Sequence, residues 1–378
     1  MVRLKDVGKI ITGNTPKTSE KENYESNDIC FVKPSDIESD GISYIEETEN
    51  FIAECAREKA RILPVNSVLV TCIGIIGKIG INKVECAFNQ QINAIVPNEE
   101  ICLAQYLAYA IKSKKFLLQD IANAPVVPIL NKTQFADVEI KIVDLKEQES
   151  IVHKLAKVEA LLEQRKQQLQ KLDELVKARF VEMFGAGVFP LKKVEELCSD
   201  IVDCPHTTPK YTGELKNPAI RTSEIKKGYI IWESMRYVSD EEYKERISRL
   251  VPAAGDIVYG REGTFGNAAI LPDGYKFCLG QRVMLLRPNF NLCTSEYLLY
   301  AVISDEVYRQ AKEKNNASTV AHVNVKDVKQ FKVALPPIEL QKEFGLFLQQ
   351  IDKSKLSVQK SLEKLETLKK ALMQKYFG

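Results

Sequence analysis

The sequence is poor in the residue types on which much enzyme chemistry depends. Its 378 residues include three histidines and one tryptophan, and none of the nine cysteines forms a Cys-x-x-Cys pair. Cys198, Cys204 and His206 come nearest to a zinc-ligand pattern, but their spacing is unusual and no fourth ligand is evident. We therefore predict that the chain binds no metal.

Loops that bind nucleotides or cofactors are also lacking. Gly77-Lys78 is followed by Ile79, so the hydroxyl that holds Mg²⁺ in a phosphate-binding loop is absent. Gly74, Gly77 and Gly80 do not have the spacing of a dinucleotide-binding turn. No amino-methyltransferase motif or nuclease core is evident either. These absences predict a protein with no catalytic site and no cofactor of its own.

Long apolar runs and an excess of one charge are missing too. The longest uncharged stretch lies between Arg61 and Lys78, contains Pro64 and Gly74, and is too short to span a bilayer. No signal-peptide pattern is evident, and the odd number of cysteines favours a reducing cytoplasm. With 53 Lys and Arg against 51 Asp and Glu, binding of nucleic acid through bulk charge is excluded, whereas a local basic patch is not.

The sequence does contain an internal repeat. Residues 31–37, which are apolar residues followed by a base, a serine and an acid, return as residues 219–225. Val32 and Ile220 are 188 residues apart, and Gly185 and Gly378 are 193 apart, so the spacing grows in small steps as loop insertions require. Further matched pairs are Gln90 with Gln281, Gln91 with Arg282, Tyr106 with Tyr297, Asn131 with Asn324, and Gln148 with Gln341.

Both halves follow the same order of elements. In the first half, β-rich runs at 29–32, 68–73 and 92–96 precede an amphipathic helix at about 103–119, whose counterpart lies near 295–312. Each half then ends in a long helix, from about 148 to 183 and from about 340 to 376. This order predicts an α+β fold with two homologous mixed α/β domains.

The long helices carry an a/d heptad pattern, interrupted by Arg165, Arg179, Lys355 and Lys369. The apolar seam is predicted at Leu155, Val158, Leu162, Leu169, Leu172 and Val176, and at Leu348, Ile351, Val358, Leu362, Leu365 and Leu372. The pattern favours a long antiparallel two-helix coiled coil that joins the two domains, with a pseudo-two-fold internal repeat. The alternative is that each helix packs back on its own half.

The two halves each carry an ordered set of short blocks, at residues 13–16, 28–37, 74–78 and 89–91 in the first half and at residues 203–210, 263–266, 279–282 and 335–341 in the second. In these blocks the chain resembles the specificity subunit of type I restriction–modification systems. The resemblance covers essentially the whole chain. The predicted division is 1–147 for target recognition domain 1, 148–185 for helical spacer 1, 186–340 for target recognition domain 2 and 341–378 for helical spacer 2.

The resemblance implies a DNA-recognition subunit without catalysis of its own. Such a subunit binds double-stranded DNA with a bipartite target, one half-sequence per domain. Two modification (methyltransferase) subunits would bring S-adenosylmethionine, and a restriction (translocase/nuclease) subunit would use ATP and Mg²⁺. Neither domain is basic, since residues 1–147 carry 17 Lys and Arg against 21 Asp and Glu, and residues 186–340 carry 21 against 20. We therefore expect partner subunits to supply many phosphate contacts.

Candidate DNA-binding residues lie in or beside the matched blocks and have side chains that can reach bases or phosphates. They are Thr15, Lys17, Lys33, Ser35, Lys78, Asn89 and Gln91 in the first half, and Thr207, Lys210, Arg221, Ser223, Arg261 and Arg282 in the second. A base-reading position should differ between two domains that read different sequences. Gln91 against Arg282 and Lys33 against Arg221 meet that condition, whereas the identical Gln90 and Gln281 are interpreted as structural.

Other features leave alternatives open. The charged segment 233–249 is either a reading loop or a solvated helix, and the helix is favoured. Lys112, Lys114 and Lys115 predict a solvated helix face, although phosphate contact is also possible. As a whole, the chain could instead be a scaffold of duplicated ligand-binding modules that bind protein or glycan, or an enzyme of unrecognised chemistry.

Overall fold

The structure is a computed structural model that describes residues 1–122, 127–185, 187, 189–262, 266–314 and 323–378. Residues 263–265, part of the matched glycine block 263–266, therefore lie outside the described residues. The chain forms two compact units. Unit 1 consists of Met1–Lys166 and Lys360–Gly378, and unit 2 consists of Gln167–Gln359. Each unit thus combines a globular part with a segment of each long helix.

Unit 1 begins with short strands and ends with helices. Its strands are β1 (Val2–Arg3), β2 (Gly8–Thr12), β3 (Ile29–Val32), β4 (Ser43–Ile45), β5 (Phe51–Ile52), β6 (Ile62–Leu63), β7 (Val68–Thr71), β8 (Ile79–Asn82), β9 (Cys86–Phe88), β10 (Ile92–Pro97) and β11 (Glu139–Ile140). Its helices are α1 (Leu4–Val7), α2 (Ala104–Ser113), α3 (Lys115–Ile121), α4 (Lys132–Ala136) and the first part of α5 (Leu145–Phe184). Single 3₁₀ turns lie at Lys21–Tyr24, Pro34–Asp36 and Glu54–Lys59.

Two sheets organise unit 1. One has the strand order β2-β10-β7-β8-β4, and the other has the order β5-β3-β9-β6, in which β3 and β9 run parallel. The apolar residues of β7 and β10 are buried on both faces, as expected for central strands covered on each side. Helix α2 packs on the first sheet and buries Tyr106, Leu107 and Ile111 in the core of the unit.

Unit 2 repeats this plan. Its strands are β12 (Leu191–Lys193), β13 (Cys198–Asp203), β14 (Tyr211–Thr212), β15 (Asn217–Ile220), β16 (Ile225–Lys226), β17 (Tyr229–Ile230), β18 (Arg236–Val238), β19 (Ile257–Gly260), β20 (Ala268–Ile270), β21 (Cys278–Leu279), β22 (Val283–Pro288) and β23 (Lys332–Ala334). Its helices are α6 (Val194–Leu197), α7 (Asp240–Arg246), α8 (Ser295–Val302), α9 (Asp305–Lys314), α10 (Val325–Gln330) and most of α11 (Ile338–Phe377), with a 3₁₀ turn at Thr222–Glu224.

The sheet orders show the repeat directly. The order β13-β22-β19-β20 in unit 2 corresponds to β2-β10-β7-β8 in unit 1, and the parallel pair β15–β21 corresponds to β3–β9. The α+β class and the internal repeat are thereby confirmed. The second sheet differs between the units, because β14 and β18 complete it in unit 2 where β5 and β6 do so in unit 1.

The long helices α5 and α11 run antiparallel within each unit. In unit 1, Lys154 lies over the ring of Tyr376 and Lys369 contacts Glu159 at 2.6 Å. In unit 2 the residues that meet are Asp173 with Lys355 at 2.6 Å, and Arg179 with Glu343 at 3.2 Å. These pairs confirm the antiparallel coiled coil, and they show that Lys355 and Lys369, which interrupt the heptads, are neutralised by carboxylates of the facing helix.

The structure buries most of the predicted seam. Leu155, Val158, Leu162, Val176, Leu348, Ile351, Val358 and Leu362 are at most 9% exposed, while Leu169, Leu172, Leu365 and Leu372 are half-buried. Of the four half-buried residues, Leu372 packs against the core of unit 1 and Leu172 against the core of unit 2. In a two-helix coiled coil only one partner helix covers a seam residue, so partial exposure is expected.

A buried glutamine fixes the start of each long helix to its globular part. Gln148 and Gln341 are both 0% exposed, and each makes three hydrogen bonds to backbone groups. The Oε1 atoms accept from the N–H of Leu103 and of Thr294; the Nε2 atoms donate to the carbonyls of Ile101 and Val143, and of Leu292 and Pro336, all at 2.8–3.0 Å. Buried amides need such partners. The matching glutamines therefore make equivalent hydrogen bonds between the long helix and the globular part of each unit, and these two sets of bonds are called the glutamine latches.

Three sequence predictions about helices need correction. The helices expected at about 103–119 and 295–312 are each divided, because Ser113 and Ser304 donate to the carbonyls of Ala110 and Ala301 and the backbone leaves the helix there. The lysine face is not freely solvated, because Lys112, Lys114 and Lys115 are half-buried. Burial and the nearby Lys369 lower the pKa of Lys112 to about 8.

The charged segment 233–249 contains helix α7, as favoured, but this helix is not simply solvated. Arg246 is 5% exposed, and its Nε donates to Glu242 Oε1 at 2.7 Å. Its Nη atoms donate to backbone carbonyls of Thr207, Leu279 and Gly280. The side chain that looked like a surface cation therefore joins α7 to two other segments of unit 2, the loop at Thr207 and the chain at Leu279 and Gly280.

Candidate nucleic-acid interface

Three loops meet at one end of unit 1 and are called loop cluster 1, which comprises residues 13–18, 33–36 and 89–91. They follow β2, β3 and β9. The carboxyl ends of β3 and β9 are adjacent because these two strands are parallel. The loop after β9 leads into β10, which begins beside the carboxyl end of β2 because β10 pairs antiparallel with β2. Backbone hydrogen bonds join them: Gly13 N to Ile92 O, Asn14 N to Phe88 O, and Asn89 N to Val32 O, at 3.0–3.1 Å. A Cβ at Gly13 would lie 2.0 Å from the Asn89 carbonyl oxygen, so this contact requires glycine.

Loop cluster 2 is the equivalent region of unit 2 and comprises residues 204–210, 221–224 and 280–282. Its joining bonds are Cys204 N to Val283 O at 3.1 Å and Gly280 N to Ile220 O at 2.7 Å. A Cβ at Gly280 would lie 2.7 Å from the Ile220 carbonyl oxygen, so this contact favours glycine, whereas Asn89 occupies the equivalent place in loop cluster 1. The two clusters therefore share one backbone frame, and the sequence blocks that match between halves build it.

Several predicted DNA-binding residues of unit 1 are engaged inside the unit. Lys78 Nζ donates to the carbonyls of Pro34 and Ile37 at 2.9 and 2.7 Å, and Lys33 Nζ donates to Asn50 Oδ1 at 2.7 Å. Asn89 is 7% exposed and donates to Gln91 Oε1 at 3.0 Å. These side chains shape loop cluster 1, and contact with DNA by any of them stays a prediction.

The basic residues of unit 2 are engaged more tightly. Arg261 is 6% exposed and pairs with Asp203 at 2.7 Å, and Arg221 pairs with the fully buried Glu224. The Glu224 carboxylate raises the pKa of the Arg221 guanidinium above its usual value. Both arginines thus neutralise a carboxylate of their own unit, and their proposed contact with DNA also stays a prediction.

The remaining candidates present polar groups to solvent. Thr15, Lys17 and Ser35 in loop cluster 1 and Thr207, Lys210, Ser223 and Arg282 in loop cluster 2 are exposed, and Gln91 is partly exposed. Lys17 and Lys210 occupy equivalent places after a buried proline, and the Lys17 side chain is 80% exposed. Each cluster therefore has an exposed lysine, exposed hydroxyl groups and one further long side chain, Gln91 or Arg282, on its solvent-accessible surface.

Sequence reasoning missed the contacts that orient these groups. Thr15 donates to Gln90 Oε1 at 2.6 Å, and Gln281 donates to Thr208 at 2.9 Å, so the identical glutamines hold equivalent loops together. Glu262 lies 3.0 Å from Arg282 Nε. The occurrence of glutamine at both positions 90 and 281 could have indicated the contacts with threonine. Nothing in the local sequence indicates that Glu262 contacts Arg282.

The described residues contain neither a cluster of metal ligands nor a membrane-spanning helix. Within that part of the chain, no group of three or more His, Cys, Asp and Glu side chains could hold a metal ion. No described helix is long and apolar enough to cross a membrane. All nine cysteines are free thiols.

Comparison with known proteins identifies the family. The model of the type I restriction modification DNA specificity domain matches residues 1–173 and again residues 210–368. The chain therefore belongs to the family of type I restriction–modification specificity proteins. The two matches also confirm the internal repeat.

Individual relatives agree with this assignment. The type I restriction enzyme MjaIX specificity subunit of Methanocaldococcus jannaschii is 24% identical over 99% of this chain and 91% of the relative. The HindI specificity subunit of Haemophilus influenzae is 32% identical over 37% of this chain and 31% of the relative. Both relatives are named as specificity subunits of type I restriction enzymes.

Solved structures share the fold. The S subunit of a type I restriction–modification system from M. genitalium has 13% identity and a TM-score of 0.58 over 100% of this chain and 95% of that chain. A chain from work on complex assembly and conformational transition of the type I R-M system has 18% identity and a TM-score of 0.62 over 99% and 96%. At these identities the similarity establishes the fold.

Proposed function

We propose that this chain is the subunit that selects the DNA sequence for a type I restriction–modification complex. Loop cluster 1 reads one half-sequence of a bipartite target, and loop cluster 2 reads the other. The single observation that carries this is the repeated backbone frame, in which the partly exposed Gln91 of loop cluster 1 and the exposed Arg282 of loop cluster 2 occupy equivalent places. One frame suits one kind of ligand, and different side chains suit different base sequences.

In this function the chemistry belongs to partner subunits. Two modification subunits bind S-adenosylmethionine and methylate, and a restriction subunit uses ATP and Mg²⁺ to translocate and cleave. The near-neutral charge of the chain supports a division in which these partners supply many of the phosphate contacts. The assembly acts in the cytoplasm, where free cysteines such as those of this chain persist.

The proposal is tested by sequencing the methylome of a strain that carries the modification genes, with and without this chain. We expect methylation at a discontinuous motif of two half-sequences that appears only when the chain is present. A methylome that is unchanged by the chain, or a contiguous motif, would contradict the proposal.

A scaffold that binds another ligand is the second candidate. The observation in its favour is a cavity of about 1170 Å³ in unit 2, lined by aromatic side chains such as Phe180 and Tyr300 and by charges of both signs, such as Lys226 and Asp305. Such a cavity could hold an amphipathic molecule. Purification of the chain from its native cells separates the two candidates, since co-purifying methyltransferase subunits support DNA recognition.

A further inference from the structure

One loop has the same backbone contacts in the two units but carries different side chains. It connects β9 to β10 in unit 1 (residues 89–91) and β21 to β22 in unit 2 (residues 280–282). The bonds that fix its first and last residues have counterparts: Asn89 N to Val32 O and Gly280 N to Ile220 O, and Cys72 N to Gln91 O and Arg261 N to Arg282 O, at 2.7–3.1 Å. The loop position is therefore set by the frame and not by its side chains.

The middle residue of the loop is glutamine in both units. Gln90 and Gln281 each bond a threonine of the neighbouring loop, at 2.6 and 2.9 Å. The residue and the type of its partner are the same in the two units, although the threonine donates in unit 1 and the glutamine donates in unit 2, so this position serves the frame. It carries no information that could distinguish one half-sequence from another.

The next residue differs in kind. In unit 1 it is Gln91, whose Oε1 accepts from Asn89 Nδ2 at 3.0 Å, a contact that fixes the plane of the Gln91 amide. In unit 2 it is Arg282, whose side chain is 64% exposed and whose Nε lies 3.0 Å from Glu262 Oε2. A second residue therefore orients each side chain, as specific recognition requires.

The backbone at Arg282 is strained. Its φ is +62°, a left-handed conformation that glycine adopts easily and arginine rarely. The conformation is held because the Arg282 carbonyl accepts from Arg261 N and from Thr222 Oγ1, both at 2.9 Å. Strain of this kind is concentrated at functional sites, and here it projects a guanidinium from the loop.

We propose that Gln91 and Arg282 are equivalent specificity-determining residues that each read one base pair, Gln91 in one half-sequence and Arg282 in the other. This inference rests on the proposed function. A glutamine amide can bond the N6 and N7 atoms of adenine, and an arginine can bond O6 and N7 of guanine. Because Glu262 occupies Nε of Arg282, the two Nη atoms form the fork that faces the base.

The test uses the full chain with its partner subunits and reads the methylome of each variant. Gln91→Arg should change or relax one base position in one half-sequence, with a shift from adenine toward guanine. Arg282→Gln should do the converse in the other half-sequence. Arg282→Gly relieves the strained backbone and removes the fork, so it should retain the fold and lose at least tenfold discrimination at that one position.

Matched controls are two exposed residues outside the loop clusters, Gln119 on α3 and Arg3 on β1, whose guanidinium lies 3.5 Å from Asp137. Gln119→Arg and Arg3→Gln make the same chemical exchanges and should leave the methylated motif unchanged. An unchanged motif in Gln91→Arg and Arg282→Gly, or a change in both half-sequences from one substitution, would overturn the inference. Failure of the wild-type chain to direct any bipartite methylation would instead overturn the proposed function.

Discussion

Loop clusters 1 and 2 share a backbone frame but are stabilised by different chemistry. In unit 1, lysine and amide side chains bond neutral groups, as Lys78 does with the carbonyls of Pro34 and Ile37. In unit 2, buried or half-buried arginines pair with carboxylates, as Arg246 does with Glu242 and Arg261 does with Asp203. The matched sequence blocks therefore preserve the path of the backbone, whereas the side-chain interactions that stabilise the loops differ between the two units.

The largest effect should come from breaking the ion pairs of unit 2. Arg246→Met leaves Glu242 buried without its partner and removes bonds to three backbone carbonyls, so we expect unit 2 to lose about 3–5 kcal/mol of stability. Hydrogen exchange measured separately for the amides of each unit reports this, and unit 1 should be unaffected. Lys244→Met, on the exposed face of α7, is the control and should change stability by under about 0.5 kcal/mol.

The glutamine latches should be equal in the two units. Gln148→Leu and Gln341→Leu each remove the side-chain partner of one backbone N–H and two carbonyls, most of them partly buried, which should cost about 3 kcal/mol in the affected unit. Hydrogen exchange of the backbone amides in the first turns of α5 and of α11 measures the loss of stability at each site. The exposed Gln359→Leu serves as the control. A large loss for one latch and none for the other would contradict the equivalence.

A pH dependence should distinguish unit 1. The pKa of Lys112 is lowered to about 8 by burial and by Lys369, so between that pH and the ordinary value of about 10.4 the unfolded chain binds more protons than the folded chain. Unit 1 should therefore become more stable as the pH rises above 8, by at most about 1.4 kcal/mol per pH unit. Stability against pH is compared for the wild type and Lys112→Gln, which should lack this rise. Identical profiles of stability against pH for the wild type and Lys112→Gln would contradict the assignment of this rise to Lys112.

The smallest effect should come from the exposed lysines. If Lys17 and Lys210 contact phosphates, alanine at either position should lower the slope of log affinity against log salt by about 1 and leave the methylated motif unchanged. Binding of the complex to DNA over a salt series measures the slope. Lys244→Ala should not alter it, and equal slopes in all variants would remove both lysines from the interface.

The sequence alone predicted the repeat, the class of fold and the antiparallel helices, because these depend on periodic patterns and on order along the chain. It did not predict which cations serve the interior. Lys78 meets Pro34, and Arg261 meets Asp203, across long stretches of chain, and no local pattern marks such a contact. The strained φ of Arg282 was likewise invisible, since its cause is a pair of hydrogen bonds from two other loops.

The central claim is that one chain carries two copies of one reader, each responsible for one half-sequence. Thermodynamic cycles between protein variants and single base changes in the DNA test it directly. We predict that Arg282→Gly couples to one base pair in one half-sequence, that Gln91→Ala couples to one in the other, and that neither couples across the gap. Coupling of both variants to the same half-sequence, or to none, would contradict the account.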